Sequence, residues 1–350
     1  MRGPSSWSTT CGSPAGQRSS SARCSVPDDA RGVLWRGLRV AVLVAGAVMV
    51  AATLFAILLH YVPFTRPTLI ALTSGVPFFL GTAVVSIVIF AGLKQWIATG
   101  VAAVVAAVLV QTQVPLFVGT DAPDGPTITV VSVNLLKGNG DLSAVEKLVR
   151  DSGADILSLQ EVTTEWLDKA RVSGLAQRLP FEQSEVVPFA AAAGSALLSR
   201  TPLRDRDIID DTAFKNLRGV TDLPGARATR VLAIHPAAPT GDGRDWVHDT
   251  DTIKAYLHEL GDGPVIAAGD YNATWDQARF RGFLRHGFAD AGEQSGSGFL
   301  PTYPTNGRLG NRPVVAIDHV VIKGFVATSV RTHFVKGSDH RAIVVKLVAA

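Results

Sequence analysis

The chain has 350 residues, of which 47% are hydrophobic and only 18% are charged, and its mean hydropathy is +0.24. This composition excludes a fully soluble chain and indicates that part of it lies in a bilayer. The formal net charge of +3 excludes a histone-like nucleic-acid binder and an acidic disordered chain. Both cysteines, Cys11 and Cys24, lie near the N-terminus, so any metal site further along the chain must use oxygen or imidazole ligands.

The first 36 residues are rich in Ser, Arg, Gly and Pro and show no hydrophobic periodicity. A segment of this composition buries too little apolar surface to offset the entropy lost on ordering. We therefore predict a disordered tail over residues 1–36.

Three apolar runs follow within residues 37–119, at residues 40–59, 68–93 and 97–119. Each is long enough to cross a hydrocarbon core of roughly 30 Å at about 1.5 Å per residue. The sequence thus predicts three transmembrane helices. A cleaved signal peptide is the alternative for the first run, but its apolar region would be shorter and nearer the N-terminus.

The positive charges around these runs predict a topology. The tail is rich in Arg, and Lys94 separates the second and third runs, whereas the first loop holds Arg66 alone. Residues 95–136 contain no Lys or Arg. Because basic residues are retained on the cytoplasmic side, we expect a multi-pass cell-membrane protein with a cytoplasmic N-terminus. Its C-terminal domain, residues 128–350, would be extracytoplasmic and joined by a short linker at residues 120–127.

Beyond the linker, short β-branched runs alternate with amphipathic segments, which is typical of a single α/β domain. The predicted strands cover residues 127–136, 155–162, 195–199, 230–235, 264–269, 317–322 and 342–347, and the predicted helices cover residues 142–151, 246–260 and 275–285.

Polar residues stand at the ends of these strands, where α/β enzymes place their sites. Asn134 interrupts the apolar run VVSVNLL, and Glu161 closes the strand DILSLQEV. Asp270 and Asn272 follow an apolar strand in the string GDYNA, which presents a carboxylate and an amide together. Buried groups of this kind need partners, so each is either a structural hydrogen-bonding residue or part of a site.

Histidines and further carboxylates occur in three more strings. His235 precedes a proline in HPAAP, Asp318 lies in the β-branched run VVAIDHVVI, and Asp339 and His340 precede the last strand in SDHRAIVVKL. A charged residue inside a buried strand is costly unless it is paired. His235 taken alone is equally consistent with a buried structural histidine.

Taken in order, these strings resemble the metal-dependent endonuclease/exonuclease/phosphatase superfamily, which includes abasic-site endonucleases, deoxyribonucleases, neutral sphingomyelinases and inositol polyphosphate phosphatases. The resemblance rests on SVNLL, LQEV, GSALLSRTPL, HP, GDYN, IDHV and SDH, from about residue 127 to the C-terminus. It implies an α/β fold, a four-layer α/β/β/α sandwich with two packed mixed sheets, here preceded by the three transmembrane helices. It places the site at one end of the sheets.

The resemblance also implies phosphoester hydrolysis with Mg²⁺ as the cofactor and Mn²⁺ as the alternative. Glu161 would be the main metal ligand, with Asn134 and Asp339 in or near the metal shell. All three offer the hard oxygen ligands that Mg²⁺ prefers.

The implied catalytic residues are two carboxylates, an amide and two histidines. Asp270 would orient or deprotonate the attacking water, and Asn272 would hold the phosphate. His340, oriented by Asp318, would act on the phosphate or transfer a proton, and His235 would donate to a non-bridging oxygen. Family members often support this last histidine or the metal with a further glutamate, for which Glu182 and Glu185 are both candidates.

The substrate remains open at this point. The seven residues 121–127 reach roughly 25 Å when extended, so the domain stays close to the membrane. That closeness favours a phospholipid or lipid-linked phosphate. A nuclease is the alternative, although residues 121–350 hold 25 basic and 28 acidic residues, a net charge of −3, with no evident basic stripe for nucleic acid. A non-catalytic membrane scaffold is a third hypothesis.

Overall fold

The computed structural model describes residues 28–307 and 311–350. The predicted disordered tail falls outside the described residues as far as residue 27. Residues 28–36 of that predicted tail are helical instead, because they form the start of a helix that runs from Asp28 to Tyr61.

Four α-helices lie in the described part of the N-terminal region, residues 28–113. They are α1 (Asp28–Tyr61), α2 (Pro67–Thr73), α3 (Leu80–Gly92) and α4 (Trp96–Gln113). Helices α1 and α4 are long and apolar enough to cross a membrane, whereas the second predicted span is bent by 58° between α2 and the helical segment 76–92. The described chain therefore contains two helices that are long and apolar enough to cross a membrane, or three candidate spans if the bent pair is one span.

The bend falls where the sequence interrupts the second apolar run. Ser74 and Gly75 form a turn after α2, and a 3-10 helix with Pro77 near its start follows at Val76–Phe79. Proline has no N–H to donate and its ring obstructs the preceding turn, so a continuous helix cannot pass through it without a kink. The short helix α2 is consequently bent away from the direction of α3, and it packs through Leu69 on the apolar bundle and through Ile70 on the C-terminal domain.

Two six-stranded sheets form the centre of the C-terminal domain. The strands are β1 (Ile128–Asn134), β2 (Ile156–Gln160), β3 (Phe181–Glu185), β4 (Ser195–Ser199), β5 (Arg204–Ile209), β6 (Asn216–Leu223), β7 (Ala226–Ile234), β8 (Val265–Asp270), β9 (Ala289–Asp290), β10 (Asp318–Lys323), β11 (Phe325–Phe334) and β12 (Arg341–Ala349). One sheet has the order β11-β12-β1-β2-β4-β3, and the other has the order β5-β6-β7-β8-β10-β9. Each is mixed, because β1 runs parallel to β2 and β7 runs parallel to β8 while the remaining pairs are antiparallel.

Five helices cover the outer faces of the sheets in the described part of the chain: α5 (Leu142–Ser152), α6 (Thr164–Arg171), α7 (Gly174–Arg178), α8 (Arg244–Glu259) and α9 (Ala278–Arg281). A further helix, α10 (Ala291–Gln294), contacts strands of both sheets, and its Ala291 packs in the core between them. One core lies between the sheets and includes Ile156, Leu217 and Val345. A second lies under α5, α6 and α7, and a third lies under α8 and α9. These layers confirm the predicted α/β/β/α sandwich.

The two parallel strand pairs set the position of the polar residues. Asn134 pairs with Gln160 at the end of β1 and β2, so Glu161 follows directly beside it. Ile234 pairs with Gly269 in β7 and β8, which brings the next residue of each strand, His235 and Asp270, to the same edge. The carboxyl ends of parallel strands meet at one end of a sheet, where α/β enzymes commonly bind ligands.

A polar cluster joins the N-terminal helices to the C-terminal domain. Asp276 Oδ1 lies 2.8 Å from His60 Nδ1, at the end of α1, and accepts a hydrogen bond of 2.8 Å from Gln113 Nε2, at the end of α4. Arg281 donates to the carbonyl of His60, and the Trp275 indole N–H donates to the carbonyl of Thr112 at 3.2 Å. Because buried groups of this kind are costly to leave unpaired, the cluster fixes both helix ends against the domain.

We expect Asp276→Ala to loosen this junction at a cost of about 3 kcal/mol, since the buried His60 imidazole loses its carboxylate partner and Gln113 keeps only Thr112 as an acceptor. The thermal denaturation midpoint of the full chain in detergent should fall by several degrees, and proteolysis at residues 61–66 should become faster. Asp242→Ala is the matched control, because Asp242 pairs with Arg244 on an exposed surface. Equal midpoints for the two variants would contradict this role of Asp276.

Candidate active site

The polar residues predicted from the strand ends gather around one open cavity. Its volume is about 1080 Å³, including the solvent at its mouth. Asn134 and Asp318 lie beneath it and bond to residues that border it. The predicted residues that line the cavity itself are Glu161, His235, Asp270, Asn272, Asp339 and His340.

Asn134 links the two sheets at the base of the cavity. Its amide nitrogen lies 3.3 Å from Glu161 Oε1 and 3.1 Å from Asp270 Oδ2, and donates to both. Its amide oxygen accepts from the backbone N–H of Leu136 at 2.9 Å. Because the side chain is 1% exposed, these contacts satisfy an amide that would otherwise destabilise the strand. The asparagine therefore holds two carboxylates from different sheets at a fixed separation.

Glu161 has an unusual backbone. Its φ is +58°, in the left-handed region that costs a non-glycine residue of order 1–3 kcal/mol and that often occurs at functional sites. Its Oε2 accepts from the backbone N–H of Lys137 at 2.9 Å. Burial raises the pKa of the Glu161 carboxyl, and the nearby charge of Asp270 raises it further, whereas the Asn134 hydrogen bond lowers it. A cation beside this carboxylate would offset both the cost of its burial and its repulsion from Asp270, and so would favour the ionised form.

A hydrogen-bonded carboxylate and imidazole form the second half of the site. His340 Nδ1 lies 2.8 Å from Asp318 Oδ2, and His340 Nε2 lies 3.6 Å from Asp270 Oδ2. Asp318 and Asp270 are direct partners in the β8–β10 ladder, which explains their proximity. Burial lowers the pKa of His340, but the charges of Asp318 and Asp270 outweigh it and raise the pKa to about 10. The imidazole is therefore held protonated and fixed in direction.

His235 occupies a different electrostatic environment. It is 1% exposed, and burial lowers its pKa to about 4. Its Nε2 lies 3.8 Å from Asp270 Oδ2, and its Nδ1 has no hydrogen-bond partner among the residues that the structure describes. At neutral pH it is a neutral imidazole with a single N–H to donate.

Asp270 lies between these groups. Burial raises the pKa of its carboxyl, the imidazole of His340 lowers it, and Asp318 raises it. Its Oδ1 accepts from the backbone N–H of Asn272 at 2.8 Å. Asn272 has a φ of +49°, and its amide donates to the carbonyl of Pro236 at 3.0 Å, which fixes the side chain at the rim.

A divalent cation fits the donor chemistry of this cavity. The ligand atoms of Asp270, Asp318 and His340 all lie within 4.8 Å of one another. The buried Oδ1 atoms of Asp318 and Asp339 have no hydrogen-bond partner within the described part of the chain. The protonated imidazole of His340 offsets the charges of Asp270 and Asp318, whereas Glu161 and Asp339 line the cavity with hard oxygen ligands. Assignment of the ion to Asn134, Glu161 and Asp339 stays a prediction.

Several residues of the site were missed by sequence reasoning. Asn216 accepts from the backbone N–H of His235 at 2.6 Å and donates to its carbonyl. The ring of Phe214 lies 4.9 Å from that of His235, and the ring of Tyr303 lies 4.8 Å from that of His340. The partners in each contact are far apart in the sequence, so no short sequence motif predicts these contacts.

Neither candidate glutamate contacts His235. Glu182 pairs with Arg171 at 2.6 Å on the outer edge of its sheet, and Glu185 is exposed on the same edge strand, β3. The side-chain amide of Asn216 instead holds the backbone of His235. The further glutamate suggested by the resemblance therefore has no counterpart here among the described contacts of His235.

Sequence comparison identifies this arrangement. The sequence model of the Endonuclease/Exonuclease/phosphatase family matches residues 131–340, which include every predicted site residue. No curated protein sequence matches the chain.

Solved structures share the fold. TDP2 of D. rerio, humanized by 14 mutations, aligns with a TM-score of 0.53 at 15% identity, covering 63% of this chain and 98% of that one. An endonuclease/exonuclease/phosphatase from Beutenbergia cavernae aligns with a TM-score of 0.51 at 18% identity, covering 64% and 72%. D. rerio TDP2 complexed with a single-strand DNA product aligns with a TM-score of 0.52 at 16% identity, covering 63% and 98%. At these identities the likeness shows the fold alone.

Proposed function

The chain belongs to the endonuclease/exonuclease/phosphatase family and is a metal-dependent hydrolase of phosphoester bonds; from this premise we propose that it is a membrane-anchored, Mg²⁺-dependent phosphoesterase. It hydrolyses a phosphodiester or phosphomonoester by attack of water. The observation that carries the proposal is the hydrogen-bonded pair of His340 and Asp318, which faces Asp270 and Glu161 across one cavity.

Glu161, with Asn134 and Asp339 nearby, would hold the Mg²⁺ ion. When bound, the ion offsets negative charge on the phosphoryl oxygens. The Glu161 carboxylate is held in place without an ion, because its backbone has a left-handed conformation and because it accepts hydrogen bonds from the Asn134 amide and the Lys137 N–H. This prearrangement limits the reorganisation that binding requires.

Asp270 would activate the water, and Asn272 would hold the phosphate. The raised pKa of the Asp270 carboxyl makes its carboxylate a stronger base than an exposed one. Its hydrogen bonds from Asn134 and Asn272 fix the direction in which its free lone pairs point. Asn272 keeps a second amide N–H, because the amide carries two and Pro236 accepts one.

The two histidines would serve different purposes. His340 is held as an imidazolium by Asp318, so it stabilises charge on the phosphate or supplies a proton to the leaving oxygen. His235 is neutral and donates an N–H to a non-bridging oxygen without adding a second positive charge beside the first. One cavity thereby combines a base, an acid and a neutral hydrogen-bond donor.

Membrane anchoring is supported by the apolar helices and their contacts. Helices α1 and α4 are apolar enough to span a membrane, and their C-terminal ends both meet the domain through Asp276. Lys94, between α3 and α4, lies at the other end of the bundle. With basic residues on the cytoplasmic side, this arrangement supports an extracytoplasmic domain and a cytoplasmic N-terminus.

A nuclease is the second candidate function. A structure of this fold, TDP2 of D. rerio, holds a single-strand DNA product. Against it, no Lys or Arg occurs among the described residues that line the cavity, whereas nucleic-acid binding relies on basic side chains that contact phosphates. The third hypothesis, a non-catalytic scaffold, does not explain why every implied catalytic residue is present.

The experiment is hydrolysis of a mixed substrate panel by the purified full chain, with Mg²⁺ or EDTA in parallel. The panel comprises plasmid DNA, RNA, sphingomyelin, phosphatidyl lipids, inositol phosphates and an aryl phosphodiester. We expect hydrolysis of at least one phosphoester in Mg²⁺ and none in EDTA. Folded protein that hydrolyses none of them would contradict the proposal, and hydrolysis of nucleic acid alone would select the nuclease.

A further inference from the structure

The short helix α2 forms one wall of the catalytic cavity. Ile70, Ala71 and Ser74 line the same cavity as Asp270 and His340. In the sequence α2 belongs to an apolar run that predicts a membrane span. In the structure it lies on the domain, opposite the predicted catalytic groups.

Specific contacts hold α2 in this position. Gln277 Nε2 donates to the carbonyl of Ile70 and to the hydroxyl of Ser74, each at 3.2 Å. The side chain of Ile70 is 2% exposed and packs into the core under α8 with Trp246. Gln277 follows the catalytic strand β8 by a few residues, so α2 is fixed to the segment that carries Asp270. The position of α2 beside the site is therefore set by the C-terminal domain as well as by the bundle of N-terminal helices.

The remainder of the rim is also largely apolar. Every charged residue that lines the cavity is a predicted catalytic residue or metal ligand, and within the described ranges 28–307 and 311–350 the lining contains no Lys or Arg. The apolar and aromatic lining residues outside α2 are Ala192, Phe214, Ala238, Pro239, Val315 and Ile317, together with Tyr303.

This lining favours one kind of substrate. A polyanion would need cations along its path, whereas an alkyl chain gains free energy by leaving water for an apolar wall. Helix α2 also joins α1 to α3, and many side chains of both are exposed and apolar. An amphiphile at the membrane boundary can therefore reach the cavity while its chain stays in apolar surroundings.

We propose that α2 is the wall that selects the substrate, and that the substrate is a phosphoester lipid of the surrounding membrane. Its phosphate lies at His340 and Asn272, and its apolar chain runs along Ala71, on the α2 wall that the buried side chain of Ile70 anchors to the domain. This inference rests on the proposed function, since it assigns the substrate class of the same cavity.

The test uses the full chain in one maltoside detergent at constant concentration, with Mg²⁺. The substrates are p-nitrophenyl alkyl phosphodiesters from ethyl to octyl, and the p-nitrophenyl phosphodiester of thymidine serves as a nucleotide probe. For the unaltered protein, kcat/KM should rise at least tenfold from ethyl to octyl. The kcat/KM for the octyl ester should also be higher than the kcat/KM for the thymidine ester.

Ala71→Gln places a polar side chain on the wall at an exposed position, and glutamine is a good helix former. We expect the octyl-to-ethyl ratio of kcat/KM to fall about tenfold in this variant. The matched control is Leu72→Gln, because Leu72 is the next residue of α2, is 46% exposed and does not line the cavity. Its ratio should equal that of the unaltered protein.

Two outcomes overturn the inference in distinguishable ways. Hydrolysis of all esters with no dependence on chain length, or a preference for the thymidine ester, would refute the apolar wall and leave the proposed function standing. Absence of hydrolysis of every ester by folded protein in Mg²⁺ would refute both.

Discussion

Glu161→Gln is expected to lower kcat by at least ~10³-fold, because the neutral amide removes the main anionic metal ligand and with it several kcal/mol of charge stabilisation. The substitution keeps the size of the side chain and can still accept from the backbone N–H of Lys137. The fold should therefore survive while the Mg²⁺ concentration that gives half-maximal activity rises steeply. The measurement is kcat for an aryl phosphodiester across a Mg²⁺ titration.

Glu165→Gln is the control for this experiment. Glu165 is an exposed residue of the first turn of α6, a few residues beyond Glu161, and its substitution should leave both kcat and the Mg²⁺ titration unchanged. If Glu161→Gln gave the same titration as this control, Glu161 would not be a metal ligand.

His340→Ala is expected to cause a loss of similar size, about 10³-fold in kcat, since it removes both the protonated imidazole and its contact with the substrate. Asp318→Asn should lower kcat by a somewhat smaller factor. Asp318 acts through His340, which it orients at 2.8 Å, so the double variant should be little worse than His340→Ala alone. The measurement is kcat/KM for the two single variants and the double variant.

The pKa of His340 gives an independent readout for Asp318→Asn. In the metal-free protein the charges of Asp318 and Asp270 raise this pKa to about 10 against the opposing effect of burial. Because the folded pKa exceeds the unfolded value, the pair stabilises the protein at lower pH, and that stabilisation is lost as the pH rises through about 10. Asp318→Asn should lower the pKa of His340, as followed by nuclear magnetic resonance of the imidazole.

His333→Ala is the matched control for the histidine. His333 lies on β11 and is not among the residues that line the cavity, so its substitution should leave activity unchanged. Fully additive losses for His340→Ala and Asp318→Asn would contradict the orienting role of Asp318.

The site residues that can be predicted from the sequence are those that lie in short motifs at the ends of strands. Asn134 and Asp270 end apolar strands, and Glu161 directly follows one. Because the carboxyl ends of parallel strands meet at one edge of a sheet, residues at these positions lie close together. His340 is recognisable for the same reason, because it stands directly before β12. The charged residue inside the run VVAIDHVVI requires a partner, and Asp318 has one in His340.

Other features have no local signal. Strands β3 and β5 read FEQSE and RDRDII, and most of their residues are at least partly exposed. Such polar edge strands lack the alternation that identifies a half-buried strand. Asn216 contacts His235 only because β6 pairs with β7.

Two further differences have backbone causes. The helix predicted at residues 275–285 is shortened to α9, which passes at Gly282 into a 3-10 turn ending at Leu284. Helix α2 has the composition of a membrane helix, and only the bend at Ser74 and Gly75 together with its contacts to Gln277 reveals that it lines the cavity.

The most direct test of the account is reversible metal dependence at the assigned site. The purified full chain would be assayed with an aryl phosphodiester in Mg²⁺, then in excess EDTA, and again after Mg²⁺ is restored, beside His340→Ala. We expect turnover that EDTA abolishes and Mg²⁺ restores, with His340→Ala at least ~10²-fold slower whenever Mg²⁺ is present. Turnover that persists in EDTA, or that His340→Ala retains in full, would contradict it.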